Sequence, residues 1–192
     1  ETDIILALVL FFVIGCCGAV LLGRMSDIVD YLLYVDKKTG LPNREKLNIY
    51  IGEMAGKVLP EAFTCFTLNL DNLSELTKRF GYTVGDGVLK DFAGLVQLMG
   101  DTEGMRGYNG IGRFVVFFEE CSSKKAAAMI RILDNQVEEY NSLNPEYPIR
   151  YTAAWATTEE TDTYEIRELL RLSQKKWKQM EKEKKDKTEE ET

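Results

Sequence analysis

An uncharged apolar stretch near the start of the chain limits most strongly what the sequence can fold into. It runs from Ile4 to Leu22 and contains no acidic or basic residue. About 19 residues of helix, at ~1.5 Å per residue, nearly match the ~30 Å hydrocarbon core of a bilayer. The stretch is longer than the apolar part of a usual signal peptide and no basic segment precedes it. We therefore predict a transmembrane helix with its flanks at residues 1–24, over the alternatives of a signal peptide and a buried core helix.

Charged residues beside the apolar stretch predict its orientation. Glu1 and Asp3 precede it and Arg24 follows it, and basic residues are enriched on the cytoplasmic side of membrane helices. We therefore expect a single-pass protein of the cell membrane whose C-terminal domain is cytoplasmic. Gly15 and Ala19 have a small-xxx-small spacing, which allows two helices to approach closely. The sequence begins with Glu rather than Met, which leaves open whether residues precede it.

The composition of the chain is that of a globular protein and excludes several classes of function. Of 192 residues, 45% are hydrophobic and 29% are charged, which fits one domain with additional segments. The formal net charge of -7 argues against nucleic acid as a partner, because phosphate binding needs a basic surface. Histidine is absent from the sequence, which removes the commonest general base and metal ligand. The cysteines form neither a zinc pattern nor a disulfide framework, which fits a reducing compartment.

The rest of the sequence alternates between helical and strand patterns. Residues 25–36 are predicted to continue as a helical stalk, because Ile28, Leu32 and Val35 recur at helical spacing. The clearest later helix covers residues 84–99, whose apolar residues keep a period of about 3.6. The other predicted elements are a helix capped by Asn43, a strand at 62–70, a polar turn region after it, a hairpin, a helix at 127–140, a strand at 149–156 and a helix at 166–180.

These elements predict one domain at residues 37–181, in which strands and helices alternate around a single sheet. Residues 182–192 are almost entirely charged, and such a segment cannot bury enough apolar surface to offset the entropy of ordering. We therefore predict a disordered tail there.

The segment Gly107–Phe118 carries the strongest short-range signal for a β-hairpin. The pair Asn109-Gly110 precedes an apolar run that ends at Phe118. Both central residues of a type I′ turn need φ > 0, which Asn and Gly accept more readily than other residues. The pattern therefore predicts a tight turn centred on Asn109 and Gly110.

Four short motifs stand in order along residues 36–181: DKKTGLPNR at 36–44, NLDNL at 69–73, GYTVGDGVL at 81–89 and GIGRF at 110–114. They resemble D-x-L-T-G-L-x-N-R, D-x-D-x-F, G-H-x-x-G-D-x-x-L and G-G-D-E-F, the motifs of the GGDEF family of bacterial diguanylate cyclases. The resemblance implies an α+β nucleotidyl cyclase-like fold, with a central, mostly antiparallel sheet flanked by helices, and a place in cyclic di-GMP signalling. The first motif departs from the family at Lys38, where Leu is usual.

The resemblance also implies a reaction whose metal ligands this sequence lacks. Family members join two GTP molecules with the help of Mg²⁺, which prefers carboxylate oxygens. They supply these from the first Asp of the strand motif and from the acidic pair of the hairpin. Here Asn69 stands at the strand position, and Gly112 and Arg113 replace the hairpin pair. We therefore predict no catalytic residue, no metal site and no cofactor. The degenerate signature positions are Gly110, Ile111, Gly112, Arg113 and Phe114.

Other positions to which the family assigns roles have changed as well. Thr77 replaces an Asn that contacts guanine, and Ser74 replaces a Lys. Residues 101–104 read DTEG where product-sensing members have R-x-x-D, so we expect no cyclic di-GMP binding through an R-x-x-D site. Asp86 is retained and is either a guanine contact or, as we prefer, a structural carboxylate near the start of its helix.

These substitutions, beside a retained core pattern, predict a membrane-anchored GGDEF-like domain without catalytic activity. We expect a regulatory or scaffold subunit that acts through protein contacts, as a homodimer or with a membrane enzyme. A polysaccharide synthase is a candidate by analogy with the family. The alternative is a sensor that binds GTP without turnover, with Asn69, Asp86 and Arg113 as nucleotide contacts. An active diguanylate cyclase is the least favoured hypothesis.

Overall fold

The computed structural model describes residues 2–100 and 104–190, which divide into two compact units, Glu1–Val35 and Asp36–Thr192. The first unit is a single helix, α1 (Thr2–Tyr34). Its segment Leu10–Tyr34 is long and apolar enough to cross a membrane. Residues 2–24 of the predicted membrane segment and residues 25–34 of the predicted stalk therefore lie on one continuous helix, which ends two residues before the predicted end of the stalk.

The second unit has an α+β fold built around an antiparallel sheet, as the sequence predicted. Its described strands are β1 (Thr64–Leu70), β2 (Gly104–Tyr108), β3 (Arg113–Phe118) and β4 (Tyr151–Thr157). They form a sheet of order β2-β3-β1-β4 in which each neighbouring pair is antiparallel. Its helices are α2 (Arg44–Met54), α3 (Leu73–Phe80), α4 (Tyr82–Gln97), α5 (Ser123–Leu143), α6 (Thr158–Thr161) and α7 (Ile166–Glu190).

Helices cover both faces of the sheet, which accounts for the almost continuous burial of its central strands. Successive side chains of a strand point to opposite faces. On β1, Phe66 and Leu68 join the core formed with α4 and α5, whereas Cys65 joins the core formed with α2 and α7. All three side chains are fully buried. The site described below lies where β1 leaves this double-sided core.

Local signals in the sequence account for the starts of two helices. The Asn43 side chain accepts hydrogen bonds from the backbone N–H groups of Glu45 and Lys46 at 3.0 and 3.1 Å, so it caps α2 as predicted. The Ser122 hydroxyl caps α5 in the same way, by accepting from the N–H of Lys125 at 3.3 Å.

Two predictions about the helices of this unit were wrong in detail. The polar turn region expected after β1 contains the helix α3, whose Leu73, Leu76 and Phe80 have helical spacing and were the available signal. The charged segment predicted to be disordered continues α7 as helix to Glu190. Lys184 shows why ordering is favoured there, since its Nζ donates to Thr152 Oγ1 at 2.7 Å and to the carbonyl oxygen of Tyr151 at 3.0 Å. Residues 191–192 lie outside the described residues.

Candidate functional site

A cleft of about 430 Å³ lies between the end of β1, the start of α3, the β2–β3 hairpin and α7. It brings together five of the residues that the sequence singled out, namely Asn69, Ser74, Thr77, Ile111 and Arg113. The lining residues are Asn69, Leu70, Asp71, Leu73, Ser74, Thr77, Lys78, Tyr82, Ile111, Arg113, Trp177 and Glu181. The fifth signature position, Phe114, is instead fully buried in the core, edge-on to Phe92.

The hairpin turn is displaced from its predicted position. The Arg113 N–H donates to the carbonyl oxygen of Gly110 at 3.0 Å, and the residues between them, Ile111 and Gly112, have φ of 53° and 73°. This is the φ pattern of a type I′ turn centred on Ile111 and Gly112. Asn109 does not form the turn, because its N–H donates to the carbonyl oxygen of Arg113 at 2.8 Å and extends the ladder.

The turn places a β-branched residue in a backbone conformation that usually belongs to glycine. Ile111 has a left-handed φ and its side chain is 85% exposed, so no buried contact offsets the steric strain. Gly112 is constrained more tightly, because a Cβ there would lie 3.1 Å from the carbonyl oxygen of Leu70. The hairpin tip therefore presents an exposed apolar side chain beside the cleft.

Asn69 and Arg113 lie directly opposite each other on β1 and β3. Asn69 Nδ2 donates to Asp71 Oδ1 at 2.9 Å, and Thr152 Oγ1 donates to Asp71 Oδ2 at 2.6 Å. Lys184 Nζ also lies 3.6 Å from Asp71 Oδ2. The Asp71 carboxylate beside the strand pair is thus already bonded within the domain.

Arg113 extends from β3 towards α7. Its guanidinium carbon lies 5.4 Å from the centre of the Trp177 ring, within the range of a cation–π interaction. Trp177 is buried, whereas Arg113 is exposed. The hairpin arginine therefore stacks on the last helix and keeps a positive charge at the cleft.

Asp86 is paired with Lys38 rather than directed into the cleft. Lys38 Nζ donates to Asp86 Oδ1 at 2.8 Å, across 48 positions of sequence. This hydrogen bond raises the pKa of the Lys38 ammonium above its usual range. Asp86 is not one of the described residues that line the cleft. Sequence reasoning missed this pair, although Lys38 was the one departure it noted in the first motif.

Thr77 lines the cleft but uses its hydroxyl locally. Its Oγ1 donates to the carbonyl oxygen of Leu73 at 2.8 Å. The same hydroxyl faces Gly85 on α4, where an added Cβ would lie 2.3 Å from it. Thr77 therefore contributes to the packing of α3 on α4.

The segment Asp36–Arg44 forms a turn that supports the hairpin. Asp36 Oδ1 accepts from the N–H groups of Lys38 and Thr39 at 3.1 and 2.9 Å and from the Thr39 hydroxyl at 2.9 Å. The N–H of Tyr108, at the end of β2, donates to the carbonyl oxygen of Pro42 at 2.8 Å. This segment thus has a structural role in the domain.

The described residues include no group of three or more His, Cys, Asp or Glu that could hold a metal ion. Around the cleft, the acidic residues are Asp71 and Glu181, and the basic ones are Lys78 and Arg113. The DTEG segment at 101–104 lies outside the described residues except for Gly104, which begins β2.

A sequence profile described as "Diguanylate cyclase, GGDEF domain" matches residues 33–187. The chain belongs to the GGDEF family. Among curated proteins, none matches this chain significantly.

Solved GGDEF structures share the fold at low sequence identity. The FimX GGDEF domain from Pseudomonas aeruginosa is 18% identical with a TM-score of 0.61, covering 74% of this chain and 90% of that one. The coiled coil and GGDEF domain of DgcB from Caulobacter crescentus, in complex with c-di-GMP, is 15% identical with a TM-score of 0.62. That match covers 74% of this chain and 78% of that one. The S helix-GGDEF-EAL structure of LapD from Vibrio cholerae, bound to c-di-GMP, is 13% identical with a TM-score of 0.58. That match covers 71% of this chain and only 32% of LapD.

Proposed function

We propose that this GGDEF protein is anchored in the cell membrane and does not make cyclic di-GMP. In this proposal it acts as a regulatory or scaffold subunit through protein contacts. The observation that carries the proposal is the Asn69–Arg113 strand pair, which lies where the resemblance places the carboxylates that hold metal.

The chemistry of this pair opposes metal-assisted phosphoryl transfer. Two-metal catalysis needs anionic oxygens around the attacking and leaving groups. Asn69 offers a neutral amide whose N–H₂ group is bonded to Asp71. Arg113 adds a positive charge, and like charges repel whatever the local dielectric. The carboxylate of Asp71, beside Asn69, already accepts a hydrogen bond from Thr152 and lies 3.6 Å from the Lys184 ammonium.

The surface beside the cleft supports a role in protein contacts. Ile111 and Tyr82 line the same cleft and are 85% and 77% exposed. Exposed apolar side chains that cluster at one place mark interaction sites more often than isolated ones do. Ile111 is also kept in a strained conformation, and such strain is concentrated at functional sites. A membrane enzyme such as a polysaccharide synthase is a candidate partner by family analogy alone.

The helix α1 supports membrane anchoring, because its segment Leu10–Tyr34 is long and apolar enough to span a bilayer. The basic Arg24, which follows the apolar stretch, favours a cytoplasmic GGDEF unit. Extraction of native membranes with alkaline carbonate tests this part separately. Release of the chain into the soluble fraction would overturn it.

The activity test uses the full chain in detergent or nanodiscs with GTP and either Mg²⁺ or Mn²⁺. We expect no cyclic di-GMP by chromatography, in parallel with an active diguanylate cyclase as the positive control. Clear turnover by this chain would overturn the proposal.

One observation favours a second function, in which the cleft binds a nucleotide without converting it. The cleft is open, and both Arg113 and Lys78 line it. A guanidinium can pair with phosphate oxygens through two hydrogen bonds. Calorimetry with GTP, GDP and cyclic di-GMP at millimolar concentration decides this, and absence of heat with all three would exclude it.

A further inference from the structure

The outer side of α7 carries a row of basic residues, although the chain is acidic overall. Residues 167–184 contain seven basic and three acidic residues, whereas the whole chain has 24 basic and 31 acidic ones. Five of the basic residues follow one another at steps of three or four positions. We call them the α7 stripe: Arg167, Arg171, Lys175, Lys178 and Lys182. Residues at this spacing are neighbours on one side of a helix, so the positive charge is gathered on a single surface.

The opposite side of α7 fixes the stripe to the domain. Ile166, Leu169, Ser173 and Trp177 are at most 5% exposed, whereas all five residues of the stripe are exposed. At ~3.6 residues per turn, the centre of the stripe lies opposite these buried residues. None of the five is among the described residues that line the cleft. The stripe is therefore a rigid surface of its own, separate from the cleft.

Most of the charge on the stripe is not neutralised by the domain itself. Arg171 Nε donates to Glu168 Oε2 at 2.7 Å. In the part of the chain that the structure describes, the other four residues of the stripe form no ion pair. Like charges three or four positions apart destabilise a helix. An anionic surface laid against the stripe would relieve this repulsion.

A bilayer with anionic headgroups is the partner that fits the stripe. Under the proposed anchoring, α1 tethers the unit that begins at Asp36 to a bilayer, so the effective concentration of headgroups is high. A free polyanion such as nucleic acid would have to approach a chain of net charge -7 without that tether. The stripe extends for about 22 Å along a helix, so it can contact several headgroups at once. Clusters of about four to eight Lys and Arg on a helix beside a membrane bind anionic lipids.

We propose that the α7 stripe docks on anionic lipid headgroups and so holds the GGDEF unit with α7 against the membrane surface. This docking rests on the proposed membrane anchoring. Each basic residue near an anionic surface strengthens binding about fivefold, so loss of three should lower the ratio of docked to undocked protein about 100-fold. Salt should release the domain, because the screening length falls from ~10 Å at 0.1 M to ~3 Å at 1 M.

Fluorescence quenching of the full chain in nanodiscs tests the docking. The two exposed cysteines are replaced by Ala, and the two buried ones stay. A dye is attached at Gln179→Cys, an exposed and uncharged position on α7 beside the stripe. In a matched chain the dye is at Leu143→Cys, which is 76% exposed at the end of α5, on the other face of the sheet. The discs contain phosphatidylcholine, alone or with phosphatidylglycerol, and a lipid whose headgroup carries a nitroxide that quenches nearby dyes.

We expect stronger quenching at position 179 than at position 143 in discs with phosphatidylglycerol. This excess should disappear in phosphatidylcholine alone and at high salt. Equal quenching at the two positions, or the same excess in phosphatidylcholine alone, would overturn docking on anionic lipid.

A pair of charge variants shows whether the stripe is the surface that docks. Replacing the three lysines of the stripe with Gln should abolish the excess at position 179. Lys57→Gln/Lys90→Gln/Lys124→Gln removes the same charge from exposed positions elsewhere and should keep it. All six changes are at exposed side chains, and near-UV circular dichroism checks that both variants keep the fold. An excess that survives in the stripe variant, or that both variants lose equally, would contradict the proposal.

Alkaline carbonate extraction separates failure of the docking from failure of the anchoring. Retention of the chain in the membrane pellet, together with equal quenching at the two positions, would overturn the docking alone. If carbonate releases the chain, anchoring is overturned, and the released chain is then floated with vesicles of the same two lipid compositions. Flotation only with phosphatidylglycerol would support the stripe, and flotation with neither composition would overturn it as well.

Discussion

Lys38 Nζ lies 2.8 Å from Asp86 Oδ1, so the retained acidic residue of the third motif is paired with the residue that departs from the first. This geometry favours the structural role of Asp86 over a guanine contact. The two side chains are 54% and 41% exposed, and ion pairs this exposed contribute little to stability.

Replacing Lys38 with the Leu that is usual in the family tests the role of Asp86. We expect Lys38→Leu to release Asp86 without creating GTP binding, because the other nucleotide contacts are also changed. Calorimetry with GTP is the measurement, and Lys37→Leu is the control for loss of a neighbouring charge. GTP binding by Lys38→Leu alone would show that Asp86 is a nucleotide contact blocked by its partner.

Gly85→Ala is expected to destabilise the GGDEF domain. The new Cβ would lie 2.3 Å from Thr77 Oγ1, which cannot retreat without losing its hydrogen bond to the carbonyl oxygen of Leu73. Overpacking of this kind costs about 1–3 kcal/mol. Chemical denaturation of the full chain in detergent measures the free energy of unfolding.

Gly87→Ala on the same helix is the matched control, since a Cβ there meets nothing within 4 Å. We expect it to stabilise by about 0.5–1 kcal/mol, because alanine is the better helix former. The double variant Thr77→Ala/Gly85→Ala should recover part of the lost stability, since the clashing hydroxyl is removed. A Gly85→Ala variant as stable as Gly87→Ala would mean that α3 and α4 are less tightly packed than the structure has them.

The parts of this fold that could be predicted from sequence were those encoded by neighbouring residues. The α4 period, the Asn43 cap and the alternation of strands and helices are local signals, and each was found. The turn shifted to Ile111 and Gly112 because Asn109 extends the strand ladder by bonding to Arg113. No rule on turn residues could show this, since propensity favours Asn109-Gly110 and the preference is overridden by pairing.

The contacts at the cleft could not be predicted for a different reason. Asn69, Arg113 and Trp177 are brought together by β1, β3 and α7, which are distant in sequence. The resemblance identified the first two residues, but no pattern pointed to Trp177 as the partner of Arg113. The Lys38–Asp86 pair likewise joins two motifs that had been interpreted separately.

Ile111→Asn is expected to stabilise the domain while weakening its contacts with partners. Asn tolerates a left-handed φ, whereas a β-branched residue in that region carries about 1–2 kcal/mol of strain. For a chain of this size, each kcal/mol shifts the melting temperature by about 2–4 °C. Differential scanning fluorimetry should therefore show a rise. Val58→Asn is the control, because Val58 is 84% exposed without a positive φ.

The same variant tests the docking role of the hairpin tip. We expect affinity purification from native membranes to recover less partner with Ile111→Asn than with the wild type or Val58→Asn. If the variant is more stable but recovers as much partner as the wild type, Ile111 is not part of the interface. A less stable variant would instead contradict the strained turn.

The stability of the GGDEF domain is expected to fall as pH rises from about 10 towards 12. Burial, followed by the hydrogen bond to Asp91, raises the pKa of Tyr140 to about 12. The Tyr140 hydroxyl donates to Asp91 Oδ2 at 2.9 Å, which only the neutral phenol can do. Because the folded pKa is raised above the ordinary value of about 10, the contribution is complete below pH ~10. It is lost as pH rises through the folded pKa.

Absorbance of the phenolate, followed during a pH titration, measures the ionisation of Tyr140 directly. Tyr140→Phe should remove a late phase near pH 12 and reduce the loss of stability between pH ~10 and 12. Tyr82→Phe is the control, since Tyr82 is 77% exposed. An unchanged late phase in Tyr140→Phe would assign that phase to another tyrosine.

Restoring two carboxylates at the strand pair should create a weak metal site. In Asn69→Asp/Arg113→Glu, the new carboxylate on β1 would face Asp71, because the present Asn69 amide lies 2.9 Å from that residue's carboxylate. The added like charge should destabilise the metal-free domain, and Mn²⁺ should restore stability because it binds only the folded form. Gly112 is left unchanged, since its φ of 73° and the nearby Leu70 carbonyl disfavour a side chain there.

Thermal denaturation with and without Mn²⁺ and calorimetry with Mn²⁺ are the measurements. Asn69→Asp/Arg113→Gln is the matched control, because it removes the guanidinium and supplies one carboxylate fewer. We expect Mn²⁺ to raise the melting temperature of the Asp/Glu variant most, the control less and the wild type not at all. If Mn²⁺ raises the melting temperature of none of the three, the missing carboxylates alone do not prevent metal binding. The pairing of Asp71 with Thr152 and Lys184 would then be the next feature to test.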